Sequence, residues 1–293
     1  MRSPRPAPLE PYDIHGRRFV WGERTYVMGI INVTPDSFSG DGLAGDAHAA
    51  ARRAQAFVSA GCDLIDVGGE STRPGHEPVS EADEAERVLP AIRAVRAAVD
   101  VPLSIDTFKP AVAAAALAAG ADIVNCVWGA MPGIVDVAAR AGAPLVVMHN
   151  RASTEYAGDC VDEVIDSLER AAAEALRAGV KRVIVDPGIG FGKTPDQNVA
   201  ILGRLDEFAR RLAYPLLVGT SRKSFIGKIT GQPVEQRVFG TAASVALAIA
   251  SGADIVRVHD VEQLIPAIEV ADAICRVGAA RSARAPAVSS PPS

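Results

Sequence analysis

Short apolar runs alternate along the chain with longer, alanine-rich amphipathic stretches, and the alternation occurs eight times. The apolar runs are YVMGIIN (26–32), DLIDVG (63–68), PLSID (102–106), DIVNCV (122–127), PLVVMH (144–149), RVIVDPG (182–188), PLLVGT (215–220) and DIVRVH (254–259). None keeps the strict polar–apolar alternation of a strand with one wet face, so each predicts a parallel strand buried on both faces. Several follow a helix-ending glycine and a turn, as in Ala119-Gly120-Ala121-Asp122 and Ala141-Gly142-Ala143-Pro144. The intervening stretches carry helix signals. SEADEAERVLPAIRAVRAAV (80–99) opens with Ser80 and Asp83 as a variant capping box and an acidic first turn. Eight strand–helix units favour an α/β fold of the (β/α)8 TIM-barrel class over an open doubly wound sheet.

Ahead of these units, IHGRRFVWG (14–22) sets two apolar stretches around a Gly-Arg-Arg turn, which predicts a short N-terminal β-hairpin closing the bottom of the barrel. The expected organisation is a flexible arm over 1–13, one barrel over 14–277 and a disordered C-terminal tail over 278–293, a stretch of Ser, Pro and Ala.

Composition narrows the function classes. A length of 293 residues suits one barrel, which uses about 250. The net charge of −5 is spread among interspersed acidic and basic residues, so no broad basic face is expected for nucleic acid or for an anionic membrane. No stretch reads as a membrane span and the first residues hold no export signal, so a cytoplasmic protein is expected. Cys62, Cys126, Cys160 and Cys275 are scattered without a CxxC pair, and are expected to be reduced and mostly buried.

In a barrel of this kind the reactive groups sit where the strands end. The residues closing the runs are Asn32, Asp66, Asp106, Asn125, His149, Asp186, the triplet Ser221-Arg222-Lys223, and Arg257 with His259. An Asp or Asn after a strand often only caps the next helix. Asp106 and Asp186 point beyond capping, because each ends a hydrophobic strand and opens a loop holding a cation, Lys109 or Lys193. An ionised carboxylate in such a place needs a donor. Two carboxylates and an asparagine make an acceptor-rich floor, matched to a flat heterocycle with an edge of N–H donors, such as an aminopyrimidinone. Lys223, Arg257, His259, Arg73 and Asn32 make the opposite surface, suited to phosphate or pyrophosphate. A GxSxG elbow, an HExxH pair and a Walker A loop are all missing from the sequence, which disfavours covalent nucleophilic catalysis. The set fits a displacement at a carbocation-like centre, in which the protein positions the reactants and stabilises charge.

Eight stretches make the reading specific. MGIINVTPDSFS (28–39), IDVGGESTRPG (65–75), SIDTFK (104–109), IVN (123–125), MHNR (148–151), VDPGIGFGK (185–193), GTSRKSFIG (219–227) and VRVHDV (256–261) closely resemble, in order, the motifs of the dihydropteroate synthases, a pterin-binding barrel family. The resemblance implies a transferase of folate biosynthesis that condenses hydroxymethyl dihydropterin pyrophosphate with para-aminobenzoate, releasing pyrophosphate. It implies that Asp106, Asn125, Asp186 and Lys223 hold the pterin while Arg257 stacks on the ring. Arg257, His259, Asn32 and Arg73 are then expected at the pyrophosphate, Asn32 partly through Mg2+. Ser71, Thr72 and Arg73, with Ser221 opposite, are expected to form the para-aminobenzoate site. Asp106, Asp186, Lys223, Arg257 and His259 are the expected catalytic set. A homodimer through the helices around 236–276 is also implied, with sulfonamides as competitive inhibitors.

A methyltetrahydrofolate-dependent methyltransferase barrel and a non-catalytic pterin-binding paralogue are the alternatives. The NVTPDSFS loop and intact Arg73, Lys223, Arg257 and His259 argue against both. Three positions depart from the family pattern: Gly40, an extra residue in the first loop; His76, in the second; and Cys126, where Asp is usual. By strand alternation Cys126 is expected to face away from the site. Trp128 is expected to pack over the mouth, and His149 to make a structural contact. Gly40 and His76 raise the expectation of altered sulfonamide sensitivity.

Overall fold

The structure is a computed structural model, and it describes residues 5, 7–34, 46–70 and 79–276. Two short strands, β1 (Tyr12–Ile14) and β2 (Arg17–Phe19), pair antiparallel, with Tyr12 opposite Phe19. Eight further strands follow: β3 (Tyr26–Asn32), β4 (Leu64–Gly68), β5 (Leu103–Asp106), β6 (Ile123–Cys126), β7 (Leu145–Met148), β8 (Val183–Asp186), β9 (Leu217–Val218) and β10 (Ile255–Val258). They lie parallel in the order β8-β7-β6-β5-β4-β3-β10-β9, and a bridge from Val185 to Leu216 joins the two outer strands and closes the ring.

The helices among the described residues are α1 (Ala47–Ser59), α2 (Glu81–Ala98), α3 (Pro110–Ala118), α4 (Pro132–Ala141), α5 (Cys160–Arg177), α6 (Pro195–Gly203), α7 (Leu205–Arg211), α8 (Ser224–Thr230), α9 (Val238–Ala250) and α10 (Val261–Cys275). Their ends follow local chemistry. The Ser80 hydroxyl accepts from the Asp83 N–H at 3.1 Å to start α2. Thr194 and Gln197 form a full capping box on α6, and α4 stops at Gly142 in the left-handed region, φ 66°. No described helix is long and apolar enough to cross a membrane.

Alternation along the strands separates two cores. Val27, Ile31, Ile65, Val67, Leu103, Ile105, Val124 and Cys126 face outward into the helical layer. Tyr26, Met28, Leu64, Ile123, Val146, Ile184, Leu217 and Ile255 face inward and fill the lower lumen, where Ile14, Phe19 and Trp21 of the hairpin segment plug them from below. The rings of Phe19 and Trp21 stack at 5.7 Å, and Trp21 meets Tyr26 edge-on at 5.5 Å. The hairpin therefore closes the bottom, as its sequence predicts, and begins two residues earlier than position 14. The N-terminal arm is tied in part to the barrel: Arg5 pairs with Asp254 and donates to the Tyr214 carbonyl at 3.0 Å. The expected C-terminal tail lies outside the described residues.

This inward phase also sets the site. Two residues above Leu64, Ile123, Ile184 and Ile255, on the same face of their strands, stand Asp66, Asn125, Asp186 and Arg257. The lumen is apolar at the bottom and ionic at the top.

Candidate active site

At the upper end of the lumen, Arg257 lies between two carboxylates. Its Nε donates to Asp66 Oδ2 at 2.6 Å and its Nη2 to Asp106 Oδ2 at 2.7 Å. Asn125 donates through Nδ2 to the same Asp66 oxygen at 3.1 Å. Register explains the convergence, since Asp106 stands opposite Asn125 across β5 and β6, and Gly68 stands opposite Asp106 across β4 and β5. Gly68 leaves room there: a Cβ on it would come within 3.6 Å of the Asp106 side chain and 3.8 Å of Asn32 Oδ1. Asn32 and Asp106 thus border the same glycine at the rim.

Three side-chain oxygens at this level are buried without a hydrogen-bond partner among the described residues: Asp66 Oδ1, Asp106 Oδ1 and the hydroxyl oxygen of Ser104. Buried acceptors in that state favour a ligand that brings N–H donors. Burial raises the Asp106 carboxyl above its usual range, with Arg257 opposing the rise. The Arg257 guanidinium is itself penalised by burial, but Asp66 and Asp106 overcome the penalty and hold it charged.

Asp186 closes the floor on the far side. Burial pushes its carboxyl up to about 6, against the N–H of Gly188 and the charges of Lys223 and Arg257. The Gly188 N–H reaches its Oδ1 at 2.7 Å. Neither Asp106 nor Asp186 is a helix cap: Lys109 precedes α3 and Thr194 precedes α6 in those roles. The capping explanation therefore fails at both positions.

Lys223 enters over the loop that follows β8, its Nζ 4.0 Å from the centre of the Phe191 ring. Ser221 and His259 come together, the serine hydroxyl oxygen lying 3.0 Å from His259 Nδ1 and accepting from the His259 N–H at 3.1 Å. If that hydroxyl hydrogen is given to Nδ1, Nε2 of His259 carries a proton, which makes it a donor for an anion. Arg222, between Ser221 and Lys223, turns elsewhere. Its backbone is left-handed, φ 57°, and its guanidinium grips Asp260 with two hydrogen bonds, the Nε bond at 2.9 Å. That pair ties the turn after β9 to the turn after β10, and so ties Lys223 to His259.

Several expectations need correction. Lys109 and Lys193 are not cations of the mouth. Lys109 is paired with Glu70 and Glu84, and Lys193 is enclosed by backbone carbonyls and His149. Loop geometry beyond the strand end decides these directions, and strand alternation does not extend that far. Trp128, just beyond the end of β6, is 44% exposed. Cys62 and Cys126 are buried, whereas Cys160 and Cys275 are only partly so; all four are free thiols. Cys126 faces the outer core as alternation requires.

His149 does make an internal contact. Burial, then the charge of Lys193, hold its imidazole down to about 3, so the ring is neutral. Ser71, Thr72, Arg73, Gly40 and His76 lie outside the described residues. Two site residues had no assigned role in the sequence. Asp66 is recognisable by its phase, two residues above Leu64. Phe191 is recognisable as the one aromatic side chain in the glycine-rich loop 188–192.

Residues 28–259 match the model of the pterin binding enzyme family. A dihydropteroate synthase of Synechocystis is 48% identical over 278 residues, which cover 91% of this chain and 96% of that protein. The structure of a dihydropteroate synthase from Clostridium difficile, solved with pteroic acid, superposes with a TM-score of 0.83 at 44% identity, covering 88% of this chain and 99% of the other. A dihydropteroate synthase of Yersinia pestis in complex with a sulfonamide drug is similar at a TM-score of 0.84 and 38% identity, covering 90% and 98%.

Proposed function

The chain belongs to the pterin binding enzymes and is a transferase of the dihydropteroate synthase kind, and from that premise we propose how its residues divide the reaction. The observation that carries the proposal is the buried floor of the acceptors Asp66, Asp106 and Asp186 with the amide of Asn125, crossed by Arg257 and faced by Lys223. The pterin lies on that floor, its N–H edge turned to Asp106 and Asp186 and its ring acceptors to Asn125 and Lys223. Arg257 stacks on the ring and, with His259 and Asn32, meets the pyrophosphate. Arg73 joins them there, and forms the para-aminobenzoate site with Ser71, Thr72 and Ser221.

In the reaction the bond between the exocyclic methylene carbon and the pyrophosphate oxygen breaks, and its electron pair leaves with pyrophosphate. Positive charge spreads into the pterin, where the carboxylates stabilise it, while Arg257 and His259 take up the negative charge of the leaving group. The nitrogen of para-aminobenzoate then bonds to the methylene carbon and releases a proton. A neutral aniline is nucleophilic enough that no strong base is required.

We assign Mg2+ to the pyrophosphate. No group of three or more His, Cys, Asp or Glu among the described residues could cage a metal, whereas Asn32 offers one side-chain oxygen at the rim, bordering the same glycine as Asp106. That fits an ion that usually keeps waters and substrate phosphates as ligands. When bound it supplies neutralisation of the leaving charge.

The protein is further proposed to be a cytoplasmic homodimer that sulfonamides inhibit by occupying the para-aminobenzoate site. Phe239 and Leu247 of α9 and Val270 and Ile274 of α10 are exposed apolar side chains within the helices expected to pair, and the four thiols are free. The deciding experiment for the activity is pyrophosphate release measured with each substrate omitted in turn. Release that depends on both is expected. Release without the amine would refute the synthase reading.

A further inference from the structure

The loop from Asp186 to Lys193 bears on the floor twice, through the Gly188 N–H on Asp186 and through the Phe191 ring beneath Lys223. What shapes that loop is a single buried ammonium. Lys193 Nζ lies 2.9 Å from His149 Nδ1, 2.9 Å from the Phe191 carbonyl oxygen, 3.0 Å from that of Gly188 and 3.3 Å from that of His149. The Lys193 side chain is buried, and its four acceptors come from two segments, the end of β7 and the loop after β8.

The segments touch closely. The Gly188 backbone is left-handed, φ 69°, and a Cβ on that residue would come 1.9 Å from the His149 carbonyl oxygen. Three carbonyl dipoles converging on one point repel each other unless a cation occupies it. Lys193 supplies that cation from within the chain; burial pulls its ammonium down to about 7 against the opposing charge of Asp186, and above that pH the neutral amine still donates two N–H groups to these acceptors. The His149 ring takes part as an acceptor, being neutral.

We propose that Lys193 is a positioning residue for the pterin floor: its ammonium gathers the carbonyls of His149, Gly188 and Phe191 and the His149 imidazole, and thereby fixes the loop that orients Asp186 and Lys223. The residue touches neither substrate in this account. The proposal rests on the reading that Asp186 and Lys223 hold the pterin, and its test separates the two.

The test is the Kd for hydroxymethyl dihydropterin pyrophosphate, measured by calorimetry with para-aminobenzoate absent, at a temperature where circular dichroism shows each protein folded. Asp186→Asn addresses the floor itself. Lys193→Met removes the charge while keeping a similar length, and Lys193→Arg keeps charge and donors. Lys193→Met is expected to weaken binding by about tenfold or more and Lys193→Arg to recover part of that loss. His149→Ala, which leaves the three carbonyls in place, serves as a milder variant should Lys193→Met not fold, and is expected to weaken binding about threefold.

Unchanged binding in Asp186→Asn would overturn the pterin-floor reading. Weakened binding in Asp186→Asn with unchanged binding in Lys193→Met, or in His149→Ala where Lys193→Met does not fold, would overturn the positioning role alone.

Discussion

Asp186→Asn is expected to abolish activity and yet to stabilise the protein, by an amount that depends on pH. Burial raises the folded-state carboxyl from 3.8 to about 6, and that balance already includes the attraction of Lys223, Arg257 and Lys193. A folded pKa above the unfolded one means that the folded state binds the proton more tightly. Stability is therefore highest below the unfolded value and is lost as pH rises through the window from about 4 to about 6. At pH 8 the ionised side chain costs the fold about 3 kcal/mol, from roughly two units at 1.36 kcal/mol each. At pH 4 the cost is under about 1 kcal/mol. The amide of Asn carries no such cost, and its oxygen can still accept from the Gly188 N–H. The variant should melt about 5 °C above the parent at pH 8 and close to it at pH 4. Differential scanning calorimetry at the two pH values, beside a pyrophosphate-release assay, tests both halves. A variant that melts at or below the parent at pH 8 would refute the claim that the carboxylate is held there against its burial.

The same carboxyl, with that of Asp106, sets an acid limb. The kcat/KM for the pterin substrate should fall as pH drops through about 7 to 6, because protonated Asp106 and Asp186 accept more weakly from the pterin and no longer stabilise positive charge; a flat profile from pH 5 to 8 would show that their ionisation is not used. Gly188→Ala should fail to accumulate as soluble protein or melt far below the parent, since its Cβ would lie 1.9 Å from the His149 carbonyl oxygen in a left-handed backbone; normal yield and melting would show that the loop can yield. Arg257→Lys keeps the charge but cannot bond Asp66 and Asp106 together, and should lower kcat by about a hundredfold in steady-state assays; activity near that of the parent would remove the bridging guanidinium from the mechanism. Lys223→Ala should lose activity with little change in melting temperature, as its ammonium works at the rim over Phe191; a large thermal loss would mark it as structural.

The strands were legible because each apolar run is bounded by a turn signal, and YVMGIIN is β3 residue for residue. The other runs lose residues at their ends, most of all PLLVGT, in which the strand keeps Leu217 and Val218 and Leu216 adds a single bridge. Period-two alternation also brought Asp106, Asn125, Asp186 and Arg257 to one place, because a side chain inside a strand has only two faces to choose from. That rule ends with the strand. Lys109 and Lys193 look equivalent in the sequence, each a cation shortly after a strand-ending Asp, yet one pairs with Glu70 and Glu84 and the other is enclosed by carbonyls. Nothing in the local spacing encodes those destinations, which depend on how helix α2 and the β7 end pack beside them. Asp66 was equally in phase, but its role emerges only when Arg257 and Asn125 are seen to share its oxygen.

A floor that stabilises a cation must hold its carboxylates ionised in a dry place, and that is the arrangement burial opposes most. The arrangement here offsets the opposition with positive charge set directly against the carboxylates. Arg257 bridges Asp66 and Asp106 with one positive charge, while the charges of Lys223, Arg257 and Lys193 act on Asp186. On the proposed assignment, a pterin N–H edge takes over part of Arg257's work at Asp106, and the guanidinium is then released toward the leaving pyrophosphate. One cation thus serves the free site and the reaction in turn. This exchange favours arginine, whose Nε and Nη2 reach two carboxylates 40 residues apart in sequence yet on the neighbouring strands β4 and β5. It also explains why the floor has three carboxylates although the proposed pterin contacts use two: Asp66 keeps Arg257 anchored while Asp106 changes partners.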